Sequence, residues 1–181
     1  MPDWVLSGDE HVAEYRPPAN VVPIEKGRKM ADMLASGELA AAIGVDTDHP
    51  DVKTLIPNAK EAAFESLRTR GHYPINHLMV VKDTLLEEDP DLGPRIFAAF
   101  AEAKRLYVER LRAGAIEKPT AIDELHQRVM DITGKDPLPY GIEPNRQALR
   151  EVVESALEQK IITRPTTPEE MFPRNTHSLV G

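Results

Sequence analysis

Three observations predict an α/β protein. A strand-like run, "NVVPI" at 20–24, is followed by a helical segment and then by a second apolar run, "LAAAIGV" at 39–45. That strand–helix–strand order implies parallel pairing if both strands share a sheet. A third strand-like run closes "GHYPINHLMVV" at 71–81. Downstream, long segments carry apolar residues at spacings of three and four, the period of a helix with one buried face.

The elements follow in order. The opening stretch has one apolar patch, Trp4–Leu6, and is otherwise acidic and Pro-rich. It lacks a basic region followed by an apolar core, so it does not read as a secretory signal and favours the cytoplasm. After the first strand, Met30, Met33 and Leu34 fall at helical spacing, and Gly37 is a natural stop. "DTDHP" then marks a turn after the second strand. "NAKEAAFESLRTR" at 58–70 is a helix carrying Ala63, Phe64 and Leu67, ended by Gly71. The strand at 75–81 comes next.

Residues 82–114 are mostly helix, with Leu92, Ile96, Phe100, Ala103, Tyr107 and Leu111 on one stripe. Gly93-Pro94 is expected to confine the regular helix to later residues, because proline removes a backbone donor. "TAIDELHQRVMDITG" at 120–134 is a helix with Thr120 as N-cap, Leu125, Val129 and Ile132 facing inward, and Gly134 closing it. "KDPLPYGIEPNR" at 135–146 is a loop with three prolines that leads into the next helix, where Pro144 suits the N1 position. "TTPEEMF" is a single turn with Thr167 and Glu170 at capping-box spacing. There is no internal repeat.

The bulk composition narrows the function. At 181 residues the chain suits one ordinary domain or two small lobes. A formal charge of −8 argues against a nucleic-acid surface, which needs clustered Lys and Arg. No stretch is long and apolar enough to read as a membrane span. Without cysteine, neither disulfides nor thiolate metal sites arise.

Nucleotide-loop, dinucleotide, zinc-protease and serine-hydrolase motifs are all missing from the sequence. His72 and His77, five apart across a proline, are not a metal pair by spacing, and "DTDHPD" around His49 lacks a calcium-loop register. His77 reads either as a half-buried residue satisfying a backbone group or as one wall of a ligand site. "PYGIEPNR" is the better constellation. It brings Tyr140, Glu143, Asn145 and Arg146 to the start of a helix, where free N–H groups favour anions and an Arg recognises carboxylates. The alternative there is an ordinary helix start, with Glu143 on the dipole and Arg146 exposed. Glu10 with His11, and Lys26 with Arg28, are weaker candidates of the same kind.

The pieces "IEKGRKMADMLASGELAAAIG", "LIPNAKEAAFESLRTRGHYPINHLMVV", "IFAAFAEAKRL", "LPYGIEPNRQALREVVESALEQ" and "TPEEMF" together resemble the 4,5-dihydroxyphthalate decarboxylase family. Its members look like type II periplasmic solute-binding proteins, although they are not secreted. The resemblance implies a two-lobed α/β fold with a mixed sheet in each lobe, of which this chain is the C-terminal portion, truncated at the N-terminus. Residues 1–72 would be the C-terminal part of lobe two. Residues 73–181 would be the hinge crossover and the helical C-terminal part of lobe one, with "GHYPINH" facing the cleft.

The implied reaction is non-oxidative loss of one carboxylate from 4,5-dihydroxyphthalate, giving protocatechuate and CO2. The roles then expected are His77 and Tyr140 in catalysis, Arg146 as carboxylate anchor, and Asn145, Glu143, Asn76 and Tyr73 in substrate binding. No cofactor and no metal ligand are assigned, with a divalent metal left open. The expected partner is a small aromatic carboxylate, not nucleic acid or membrane. Exposed apolar surface where missing strands would pack predicts a homo-oligomer. The alternative function is a solute-binding protein that captures a small organic carboxylate for a transporter.

Overall fold

Residues 4–8 and 15–181 are described by a computed structural model, helix-rich with one two-stranded parallel sheet among those residues. The chain divides into two units. The first holds the described residues through Ala59 together with Ala156–Thr163, and the second holds Lys60–Ser155 and Arg164–Gly181. No helix among the described residues is long and apolar enough to cross a membrane. Glu10 and His11 lie outside the described residues.

In the first unit, strand β1 (Trp4–Leu6) pairs in parallel with β2 (Val21–Pro23), Val5 opposite Val22. Helix α1 (Met30–Ala35) buries Met33 and stops at Ser36 and Gly37, whose φ of +78° suits glycine. The strand expected at 39–45 does not form, and so neither does the βαβ unit. β2 instead finds its neighbour upstream, in the apolar patch at Trp4–Leu6. Ile43 is 88% exposed, so the run has no surface to pack against.

In the second unit, α2 (Ala59–Arg70) packs on α5 (Ala121–Thr133) through Phe64, Leu67 and Val129, flanked by Tyr73, Leu125 and Ile132. Arg128 closes this contact, stacking 3.9 Å from the Phe64 ring centroid while its guanidinium pairs with Glu61. Ala63 is exposed rather than part of the core. Helix α3 (Asp83–Glu88) precedes α4 (Leu92–Arg112), and α4 meets α5 through Val108, Leu111 and Met130. Each such apolar side chain contributes roughly 1.5–3 kcal/mol on full burial. Helix α6 (Ile142–Glu158) buries Ile142, Leu149 and Val153.

Three local expectations are corrected. Gly93 and Pro94 lie inside the first turn of α4, where the missing proline N–H has no intrahelical partner to lose. The buried face of α4 is Lys104, Val108 and Leu111, while Phe100 is 47% exposed. Pro144 occupies the third position of α6 rather than the first, because the helix already begins at Ile142. The caps of α5 and of the 3-10 turn Pro168–Met171 form as expected, each with a reciprocal capping box, and Gly134 closes α5 at a φ of +66°.

The strand expected at 75–81 is also absent. Residues 71–82 run without helix, turn or bend, and no strand of the second unit lies beside them. A strand is a pairing, and this stretch lacks its pair.

Candidate functional site

Gly71 ends α2 in the left-handed region (φ +64°), its N–H donating to Leu67 O at 3.0 Å. The chain then turns onto a path set by Tyr73, whose hydroxyl donates to the Pro137 carbonyl at 2.8 Å. Burial, and then the charge of Asp136, hold the Tyr73 phenol above its ordinary pKa. Beyond it, His72, residues 74–78 and one face of α6 enclose a groove of about 330 Å³, and Tyr73, expected in substrate binding, is not among its lining residues.

One wall carries His72, Asn76 and His77, and the other carries Glu151 and Ser155. Pro74, Ile75, Leu78, Ala148 and Val152 supply the apolar lining, over a floor that includes Leu149. His72 Nδ1 lies 3.4 Å from Glu151 Oε2, an ion pair when the imidazole is protonated. Two imidazoles and a carboxylate beside an apolar surface can exchange protons with a planar ligand. No Lys or Arg is among the lining residues. Glu151 was not visible as a site residue from sequence, because nothing local links α6 to the histidines.

The "PYGIEPNR" residues gather elsewhere. Asn145 donates through Nδ2 to the carbonyls of Pro139 (2.8 Å) and Gly141 (2.9 Å), stitching the loop onto the first turn of α6. Gly141 has a φ of +109°, and a Cβ there would sit 2.3 Å from the Leu179 carbonyl, so a larger residue does not fit. The Tyr140 main chain exchanges two hydrogen bonds with Gly181 (3.0 and 3.3 Å). Its ring packs edge-on to Phe97 and lies 4.7 Å from the Lys104 ammonium. Lys104 is buried, paired with Asp136 and donating to the Leu138 carbonyl at 3.0 Å.

Arg146 is held between two carboxylates, Glu143 one turn back and Glu169 at 2.6 Å in the turn Pro168–Met171. Hydrogen bonds from its guanidinium hold both carboxyls below the usual range. An incoming carboxylate must therefore displace one of these partners. The groove takes Ala148, Glu151, Val152 and Ser155 from α6, and by helical period Arg146 projects from a different face. The structure thus brings His72, Asn76 and His77 together, but does not line one cavity with His77 and Arg146. Arg28, the weaker cation, is likewise bound to the Glu38 carboxylate.

A third cluster was not anticipated. The Tyr107 hydroxyl donates to Asp123 Oδ1 at 2.7 Å and lies 2.9 Å from His126 Nδ1. Hydrogen bonds from the Thr120 backbone and side chain, then from Tyr107, lower the Asp123 pKa to about 2. Burial, then Asp123, raises the Tyr107 pKa to about 12, and burial lowers that of His126. The cluster joins α4 to the N-cap of α5. Among the described residues no three His, Asp or Glu side chains come together to hold a metal ion, and His49 instead takes part in a turn, accepting from the Asp51 N–H at 3.4 Å.

No protein-family model matches the chain. A curated protein of Comamonas testosteroni, 4,5-dihydroxyphthalate decarboxylase, is 28% identical over 161 residues, covering 84% of this chain. The alignment takes in 49% of that protein, so the chain spans about half the length of the curated relative it matches. The chain is therefore a distant relative of a protein named as a decarboxylase.

Proposed function

We propose that this chain is the C-terminal portion of a two-lobed, periplasmic-binding-protein-like decarboxylase that acts in the cytoplasm on a small aromatic dicarboxylate. The similarity along 84% of the chain to 4,5-dihydroxyphthalate decarboxylase carries this reading. The groove between 72–78 and α6 supports it with a donor set suited to proton transfer.

The chemistry needs no redox cofactor. In 4,5-dihydroxyphthalate each carboxylate lies para to a phenol. A proton adds to the ring carbon that bears the departing carboxylate while the para hydroxyl loses its proton, giving a ketone-like intermediate. The C–CO2 bond then breaks, its electron pair restores the aromatic ring, the oxygen takes back its proton as the phenol re-forms, and CO2 leaves. His77 is the proposed proton donor to carbon. Asn76 orients the substrate, and the His72–Glu151 pair takes the phenolic proton. Arg146 and Tyr140 have no part in this groove, since Arg146 lies on another face of α6 between Glu143 and Glu169 and Tyr140 packs on Phe97 and Lys104.

Incubation with 4,5-dihydroxyphthalate and chromatography for protocatechuate, against a no-protein blank, tests the reading. Product formation that falls at least tenfold in His77→Ala is expected, the scale of general acid catalysis being about 10²–10⁴. Tight binding with no product would replace the enzyme by a capture protein, and neither binding nor product would remove the reading.

A further inference from the structure

Lys104 lies on the buried face of α4, and only 7% of it is exposed. Its ammonium pairs with Asp136, donates to the Leu138 carbonyl at 3.0 Å and lies 4.7 Å from the Tyr140 ring centroid. Burying an ammonium is costly, and a buried ion pair returns little net stability beside apolar side chains of similar volume. What such a pair supplies is fixed geometry. Here the residue it fixes is the one between its two partners, Pro137.

Pro137 is held on both flanks. Asp136 accepts the Leu138 N–H through Oδ1 at 2.8 Å, closing a turn around the proline, while its Oδ2 faces Lys104. The pyrrolidine ring fixes φ, and the residue is fully buried. Its carbonyl is thereby aimed in one direction, at the Tyr73 hydroxyl 2.8 Å away. Among the described residues, 72–78 make one hydrogen bond to a distant part of the chain, this one, and one ion pair, His72 with Glu151.

We propose that Lys104 is a positioning residue for the groove: through Asp136, Leu138 and the Pro137 carbonyl it sets where Tyr73 lies, and so holds His72 beside Glu151. Lys104 is not among the residues lining the groove, so it acts only through that wall. Its effect on catalysis rests on the decarboxylase reading, whereas its effect on the wall does not.

The wall is tested without turnover. In the parent chain a nuclear Overhauser contact is expected between the His72 ring and the Glu151 side chain. Lys104→Met is expected to abolish it while contacts between Val108 and Met130 persist. Tyr73→Phe, which cuts the last link of the same path, is expected to abolish it too, and the double variant to show no further change in the groove. Asp136→Asn keeps an acceptor for the Leu138 N–H and carries the same test if Lys104→Met does not fold. A His72–Glu151 contact retained in either folded variant, or lost there and kept in Tyr73→Phe, would overturn the proposal.

Turnover of 4,5-dihydroxyphthalate tests the catalytic consequence. Lys104→Met is expected to lower kcat by about 10²-fold with KM changed far less, the scale of a misplaced catalytic group. Thr120→Ala, which weakens α5 away from the groove, is expected to leave kcat as in the parent. An equal fall in both would mean lost stability rather than lost position, and would overturn the catalytic role. A parent without turnover would remove the decarboxylase reading and leave the His72–Glu151 contact to decide the positioning.

Discussion

The Tyr73 hydroxyl donates to the Pro137 carbonyl at 2.8 Å, joining the segment after α2 to the loop that leads into α6. Pro137 is fully buried, so the carbonyl has no ready substitute partner. Tyr73→Phe is expected to cost about 1–3 kcal/mol in urea unfolding, the penalty for an unsatisfied buried group. The raised pKa adds a sign: stability from this phenol is complete below its ordinary pKa of 10.0 and is lost as pH rises through the higher folded value. The Phe variant should therefore lose less stability at alkaline pH than the parent.

The capping box of α5 makes a second prediction. Thr120→Ala removes the cap and is expected to cost about 1 kcal/mol, read as a shift in urea midpoint at unchanged slope. Asp123 has a folded pKa of about 2, below its ordinary 3.8, so its contribution is present above 3.8 and lost as pH falls toward 2. The stability gap between parent and Asp123→Asn should close over that interval.

Leu149 is only 2% exposed and sits under the groove, so Leu149→Ala is expected to cost about 2–5 kcal/mol by loss of packing and creation of a cavity. A thermal melt checks this directly. A variant that melts with the parent would mean that α6 is less tightly packed than the structure has it.

Arg146 makes an acid-side prediction. Glu143 and Glu169 are held below their ordinary pKa of 4.5, so their stabilisation is present above 4.5 and lost as pH falls through the lower folded values. Arg146→Ala should flatten the decline in melting temperature below that point. It should also remove part of the salt dependence at neutral pH, because these pairs are solvent-accessible and screened.

How much was legible in the sequence follows from distance along the chain. The Thr120 cap, Thr167 with Glu170, and the stops at Gly37, Gly71 and Gly134 all act within a few residues, and each formed where the sequence places it. Of the candidate site, "YPINH" was readable as a polar mouth. The carboxylate that faces it, Glu151, and the one that occupies Arg146, Glu169, lie too far along the chain for any local pattern to connect them.

By itself, then, the sequence determined that α2, α5 and α6 are helices and that Thr120 caps α5, because helical hydrogen bonds and caps close within four residues. Only the tertiary structure decided that 39–45 and 75–81 are not strands, because a strand exists through a neighbour and none is beside them among the described residues. It also decided that the apolar stripe of α4 turns toward Lys104 rather than Phe100. There Asp136, the Leu138 carbonyl and the Tyr140 ring satisfy a buried ammonium that the sequence alone would leave in solvent.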